Sequence, residues 1–170
     1  MNENNQQCSD CGQWFEKAEL CFIEDTSFCI KCMYGDAKPF EIYPIGIVRN
    51  NLQRNVKKQF GLIGNPGTES RIELFPSQKP FMSKLEEEEY LTIVYYLHKT
   101  LPPKYIFKRK NDLKEVGTFA SRSPNRLSKI AITDVKLIRI ENTTLFVFGL
   151  DAIDGSPVLD IKMAKNVWYY

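Results

Sequence analysis

The sequence predicts a mainly β fold: a closed or nearly closed antiparallel β-barrel with a small N-terminal zinc-binding module. Three observations carry this expectation. All five cysteines of the 170-residue chain fall between Cys8 and Cys32. Beyond Asp36-Ala37-Lys38-Pro39 the chain turns to short β-branched and aromatic runs separated by turn residues. Only residues 77–89 of this body have helical character, so strands do not alternate with helices as a doubly wound sheet requires, and no G-x-G-x-x-G is present.

The cysteines come first. Cys8-Ser-Asp-Cys11 and Cys29-Ile-Lys-Cys32 are two C-x-x-C pairs with 17 residues between them. Each pair offers two thiolates from one tight turn, and two such turns complete a tetrahedral shell with no open position for chemistry, so the predicted zinc is structural. So short a segment buries too little surface to fold alone, and metal binding supplies the missing stabilisation. Trp14, Phe15, Phe22 and Phe28 offer apolar cover. A redox C-x-x-C or simple free thiols is the competing reading, and Cys21, outside the pattern, reads as a buried free thiol. The polar start lacks a signal peptide's apolar stretch, and no run approaches the roughly 18 apolar residues of a membrane helix. A cytoplasmic protein without membrane contact is expected, divided into a four-cysteine module at 1–40 and a barrel domain at 41–170.

In the body, strands are predicted at 42–48, 71–75, 90–97, 105–108, 116–120, 130–140 and 144–150. Pro44 suits an edge or first strand, and Asn142 marks a hairpin turn between the last two runs. The run Glu86-Glu87-Glu88-Glu89 reads as a solvated face. Charge divides unevenly: residues 1–40 carry three Lys/Arg against seven Asp/Glu, and residues 41–170 carry 20 against 14. Only the body suits polyanions.

Four polar clusters interrupt these runs. Lys57-Lys58-Gln59-Phe60-Gly61-Leu62 is a basic loop with a glycine, and His98-Lys99, with the chain's one histidine, follows an apolar strand. In Gly117-Thr-Phe-Ala-Ser-Arg122-Ser-Pro-Asn-Arg126, a proline turn bears two guanidinium groups suited to carboxylate or phosphate. The last cluster sets Asp151, Asp154 and Asp160 around Gly155 and Pro157. Each has a plainer reading: a packing or surface histidine, ordinary surface arginines, and an Asp-Gly-Ser-Pro turn set by propensity alone.

Taken in order, Pro44-Ile-Gly46-Ile-Val-Arg49, Gln59-x-Gly61-Leu62, a strand ending in His98, Gly117-x-Phe-Ala-x-Arg122-Ser-Pro-x-Arg126 and Leu150-Asp-x-x-Asp154-Gly-x-Pro-Val-Leu-Asp160-Ile-Lys162 resemble the TsaA-like, TrmO (YaeB) family across residues 41–162. The resemblance implies an S-adenosylmethionine-dependent methyltransferase built on a β-barrel, working as a homodimer and N-methylating threonylcarbamoyladenosine beside the anticodon of a tRNA. It also implies cofactor contacts at Lys58 (arginine in the family), Gln59 and Phe60; at His98 and Lys99; at Arg122; at Ile132; and at Asp151, Ala152, Ile153 and Asp154. Methyl transfer is an in-line displacement at a sulfonium, so the protein mostly positions reactants and removes one proton, for which His98, Asp151 and Asp154 are the candidates.

The chain departs from the family in three places. Leu127-Ser128-Lys129-Ile130-Ala131 replaces Pro-Asn-Pro-Ile-Gly, Lys104-Tyr-Ile-Phe-Lys-Arg-Lys110 replaces an arginine- and proline-rich stretch, and Met163-Ala164 replaces Pro-Tyr. These segments are acceptor-side candidates, which leaves two other readings open: the same cofactor with a protein or small-molecule acceptor, or a non-catalytic zinc-containing binding module.

Overall fold

Period-2 alternation of buried and exposed side chains builds most of the regular structure. The computed structural model describes residues 4–54, 62–63, 67–109 and 112–165. The chain divides into two compact units, one formed by Met1–Glu41 with Leu101–Ser128 and the other by Ile42–Thr100 with Lys129–Tyr170. The first unit thus takes in Leu101–Ser128 as well as the expected N-terminal module, so this stretch lies apart from the barrel domain expected at 41–170.

The first unit opens with two antiparallel hairpins, β1 (Asn5–Gln7) with β2 (Trp14–Glu16) and β3 (Leu20–Ile23) with β4 (Thr26–Cys29). The α-helix α1 (Ile30–Tyr34) follows and ends at Gly35, whose φ of 64° suits a residue without a side chain. The core here is small: Cys8, Leu20 and Cys29, with Phe15 and Cys32 packed against them. Trp14 and Phe22, expected as cover, are exposed. Buried Ser27 joins the hairpins, its hydroxyl donating to Gln7 O at 2.8 Å and its carbonyl accepting from Ser9 N at 2.7 Å.

The chain then enters the second unit with β5 (Gly46–Arg49), the short pair β6 (Gln53–Arg54) and β7 (Leu62–Ile63), β8 (Glu69–Leu74) and β9 (Tyr90–Tyr96). It returns to the first unit for the hairpin β10 (Ile106–Lys108) and β11 (Glu115–Gly117). It ends in the second with β12 (Ile130–Glu141), β13 (Thr144–Phe148) and β14 (Pro157–Met163). Six strands close a barrel in the order β12-β13-β8-β5-β14-β9, every pairing antiparallel. Closure removes the open sheet edges and leaves one packed interior. That interior holds Val48, Ile72, Leu74, Leu91, Ile93, Tyr95, Val135, Leu145, Val147 and Val158.

The barrel is the predicted fold, and its departures are local. The first barrel strand begins at Gly46, after Pro44, because proline cannot donate to the ladder. The helix expected over 77–89 is instead two 3-10 segments, Pro76–Met82 and Leu85–Glu87. Pro80 lacks the N–H that an α-helix needs, and Lys84 sits in the left-handed region at φ 62°. The strand expected at 116–120 stops at Gly117 and continues as a 3-10 turn, Thr118–Ala120. β14 was not foreseen at all. Asn142 does turn the β12–β13 hairpin, at φ 55° in a two-residue loop. No helix among the described residues is long and apolar enough to cross a membrane.

Candidate functional site

In the second unit, polar groups gather where the segment between β13 and β14 meets the exits of β5 and β9. Buried Leu150 and Ala152 anchor this segment, and five hydrogen bonds pin it to the residues around β5. Gly155 N donates to Val48 O at 2.9 Å, and Val48 N to Ser156 O at 2.9 Å. Asp154 N donates to Leu52 O at 2.9 Å, while Asp154 Oδ1 accepts from Asn50 N at 3.1 Å. The Asn50 side chain completes the stitching, donating to Ser70 Oγ at 3.0 Å and Ala152 O at 2.9 Å and accepting from Leu52 N at 2.9 Å. Its amide is thereby satisfied at both ends, which fixes the loop on a rigid scaffold.

Two residues of this loop face partners from β9 and β12. Asp151 Oδ1 accepts from Tyr95 Oη at 2.8 Å and from Thr133 Oγ1 at 2.6 Å. Its Oδ2 accepts nothing among the described residues. Burial, with the neighbouring Asp151 charge, pushes the Tyr95 hydroxyl well above its usual range, so it remains a donor at any ordinary pH. Ser156 Oγ lies 3.4 Å from His98 Nδ1, either atom able to donate. The His98 ring lies beside Gly155, where a Cβ would come within 3.7 Å of Nε2. Burial first and Lys99 second hold the His98 pKa below that of a free histidine, and Asp154 partly opposes them.

In the first unit, the sulfur atoms of Cys8, Cys11, Cys29 and Cys32 all lie within 4.8 Å of one another. A tetrahedral zinc–thiolate shell, with bonds of about 2.3 Å, sets its sulfurs about 3.8 Å apart, so the cluster has the size of one four-coordinate site. The thiols are free. Cys29 N donates to Cys8 Sγ at 3.3 Å and Cys32 N to Cys29 Sγ at 3.4 Å, the polarity that stabilises thiolates. Bonds from the backbone of Cys11 and Cys29 bring the Cys8 thiol down to about 6, whereas hydrogen bonding to Asp10 and Cys29 pushes Cys32 up. Gly12, at φ 72°, closes the first turn and donates to Cys8 O at 3.0 Å.

The family model described as the tRNA-methyltransferase O N-terminal domain matches residues 53–165. The chain belongs to the TrmO family. Among its relatives, an S-adenosyl-L-methionine-binding protein from Archaeoglobus fulgidus is 31% identical over 120 residues, covering 70% of this chain and 85% of the relative. A tRNA (adenine(37)-N6)-methyltransferase from Mus musculus is 36% identical over 96 residues, 54% of this chain and 22% of that protein. The structure of TrmO from Pseudomonas aeruginosa superposes with a TM-score of 0.59 at 25% identity, over 75% of this chain and 57% of that one. The chain spans only a third of the length of another Archaeoglobus fulgidus relative, a probable S-adenosyl-L-methionine-binding protein. The four cysteines lie outside the segment matched to the TrmO domain.

Of the TrmO-type contacts expected from the sequence, Asp151, Ala152, Ile153 and Asp154 fall in the pinned loop and His98 beside it. Lys99 is exposed next to His98, and Ile132 is exposed on β12 opposite Val94. Arg122 belongs to the first unit, exposed just after the Thr118–Ala120 turn. Lys58, Gln59 and Phe60 lie outside the described residues. Tyr95, Thr133, Asn50 and Ser156 were not singled out from the sequence. The available signal was a hydroxyl at core positions of apolar strands, Tyr95 following Leu91 and Ile93 on one face.

Proposed function

We propose that the chain is an S-adenosylmethionine-dependent methyltransferase that modifies an adenosine amine of tRNA, the adenosine carrying a threonylcarbamoyl group, and that it works as a homodimer. The observation that carries this reading is the pinned Asp151–Ser156 loop beside His98, lying within a segment matched to the TrmO domain. The names of the relatives, S-adenosyl-L-methionine-binding proteins and tRNA (adenine(37)-N6)-methyltransferases, supply cofactor and acceptor class.

The residues fit the cofactor. With both hydroxyls on Oδ1, Asp151 presents Oδ2 to an amine or a ribose hydroxyl, and Asp154, held through Oδ1, does the same. Two carboxylates suit a cationic, hydroxyl-bearing ligand, and Arg122 suits a carboxylate. S-adenosylmethionine, when bound, supplies a methyl group on a sulfonium. The chain's own work is then to orient and to take one proton. His98 is our choice of acceptor for it: its lowered pKa leaves the ring neutral near pH 7, with a lone pair free. Lys58, Gln59, Phe60, Lys99 and Ile132 complete the proposed contacts. Zinc at Cys8, Cys11, Cys29 and Cys32 holds the N-terminal module together.

Calorimetry with S-adenosylmethionine tests the cofactor, with Asp151→Asn expected to weaken binding at least tenfold. Mass spectrometry of nucleosides from tRNA incubated with protein and cofactor tests the acceptor. Absence of binding at millimolar cofactor sinks the enzyme reading; binding without any new methylated adenosine sinks the acceptor.

A further inference from the structure

The body's excess of positive charge is concentrated in one place. Residues 101–128 carry seven Lys/Arg against two Asp/Glu, leaving 13 against 12 in the rest of 41–170. This is the stretch that joins the first unit as β10, β11 and the turns after them. On the hairpin, Phe107 is buried opposite Val116, which turns Ile106 and Lys108 to solvent. Arg109 is engaged by Asp112. Lys108 and Lys114, both exposed, enter no salt bridge among the described residues.

Next to this basic hairpin stands an aromatic ring with almost no protein contact. Phe119 is 90% exposed, on the 3-10 turn Thr118–Ala120. The turn is firmly held. Thr118 N donates to Tyr105 O at 2.9 Å, Thr118 Oγ1 donates to Lys104 O, and Ser121 donates to Thr118 O through both its amide (3.1 Å) and its hydroxyl (2.9 Å). A firmly held, exposed ring two residues past the end of a hairpin that carries exposed lysines toward its turn is a combination that single-stranded nucleic acid rewards, with bases stacking on the ring and phosphates meeting the cations. A protein partner fits less well, because protein interfaces are depleted in lysine.

We infer that the described residues of this stretch, 101–109 and 112–128, form an RNA-docking surface, on which Phe119 stacks with an unpaired base of the acceptor tRNA while Lys108 and Lys114 meet its phosphates. This rests on the tRNA reading above and adds the surface that recognises it. Base–aromatic stacking and phosphate contact make separable predictions, one insensitive to salt and one strongly dependent on it.

The test uses the full-length protein and bulk tRNA, with binding followed by fluorescence anisotropy between 50 and 200 mM salt. Phe119→Leu should weaken tRNA binding about tenfold with an unchanged salt slope, and Phe119→Trp should restore it. Lys108→Gln with Lys114→Gln should lower the log–log salt slope by roughly 1.4 to 1.8. All variants should keep wild-type affinity for S-adenosylmethionine, which also verifies folding. Wild-type tRNA affinity and slope in both the Phe119→Leu and the double-lysine variant would overturn the surface while leaving the acceptor intact. A wild-type protein that binds the cofactor but no tRNA overturns both.

Discussion

The Tyr95 hydroxyl donates to Asp151 Oδ1 at 2.8 Å from a ring that otherwise belongs to the barrel core, only 3% exposed. One side chain therefore packs the interior with its body and sets a candidate ligand carboxylate with its tip. Thr133, from the neighbouring strand β12, reaches the same oxygen, so strand register decides where Asp151 points.

Tyr95→Phe should keep the packing and lose one charge-assisted bond, worth about 1.5 to 3 kcal/mol before Thr133 compensates. The expected outcome is a three- to tenfold loss of S-adenosylmethionine affinity by calorimetry, with a larger loss when Thr133→Val is added. Thr92, whose hydroxyl donates to Asp134 Oδ1 at 2.6 Å, gives the control: Thr92→Val removes a comparable bond and should leave cofactor affinity unchanged.

His98 predicts a pH dependence with a definite sign. Its folded pKa lies below the free value of about 6.5, so the unfolded chain binds the extra proton first as pH falls. Stability is therefore present in full above about pH 6.5 and declines as pH drops from there through the folded pKa. Thermal unfolding between pH 5 and 7.5 should show a steeper acid loss for wild type than for His98→Gln. Parallel curves would rule out the neutral, partly buried imidazole.

The cysteine cluster predicts a local effect. Cys29 both caps α1 through its sulfur and donates its amide to Cys8, so Cys29→Ser should abolish zinc content by elemental analysis. Amide exchange should then rise throughout residues 5–35, since so small an apolar cluster as Cys8, Leu20 and Cys29 cannot hold the module without metal. The hairpin β10–β11 should loosen with it, because Tyr105 Oη lies 3.1 Å from Thr26 Oγ1 within the same unit. Cofactor affinity should stay within twofold of wild type; a large loss would refute the separation of roles.

The barrel was legible because alternation along β9 and β8 repeats the period of a strand over six or seven residues, Leu91-Ile93-Tyr95 and Ser70-Ile72-Leu74 being the inward rows. β14 escaped because Asp154-Gly155-Ser156-Pro157 is so strong a turn signal that the apolar Val158 and Ile161 after it read as part of the turn cluster. The four cysteines needed only spacing, and their sulfurs do converge. For the loop site, sequence supplied His98, Asp151 and Asp154 but not their supports. Asn50 and Thr133 act through bonds to residues about a hundred and about twenty positions away, and no local pattern encodes such pairings.

Gly46 carries the most severe expected change. A Cβ there would sit 2.6 Å from Glu73 O and 2.9 Å from Leu74 Cα, both backbone atoms of β8 that cannot rotate aside. Gly46→Ala must therefore push β5 away from β8. Because Val48, two residues on, bonds both Gly155 and Ser156, the pinned loop would move too. We expect a loss of at least about 3 kcal/mol, as for overpacking at a site with no room to relax, and weakened cofactor binding by any protein that remains folded. Gly155→Ala should be milder, about 1 kcal/mol, since its φ of 79° strains an alanine but the nearest atom, His98 Nε2, is 3.7 Å off. Thermal unfolding of the pair decides it: equal shifts for the two variants would mean that β5 and β8 do not approach as closely as Gly46 requires.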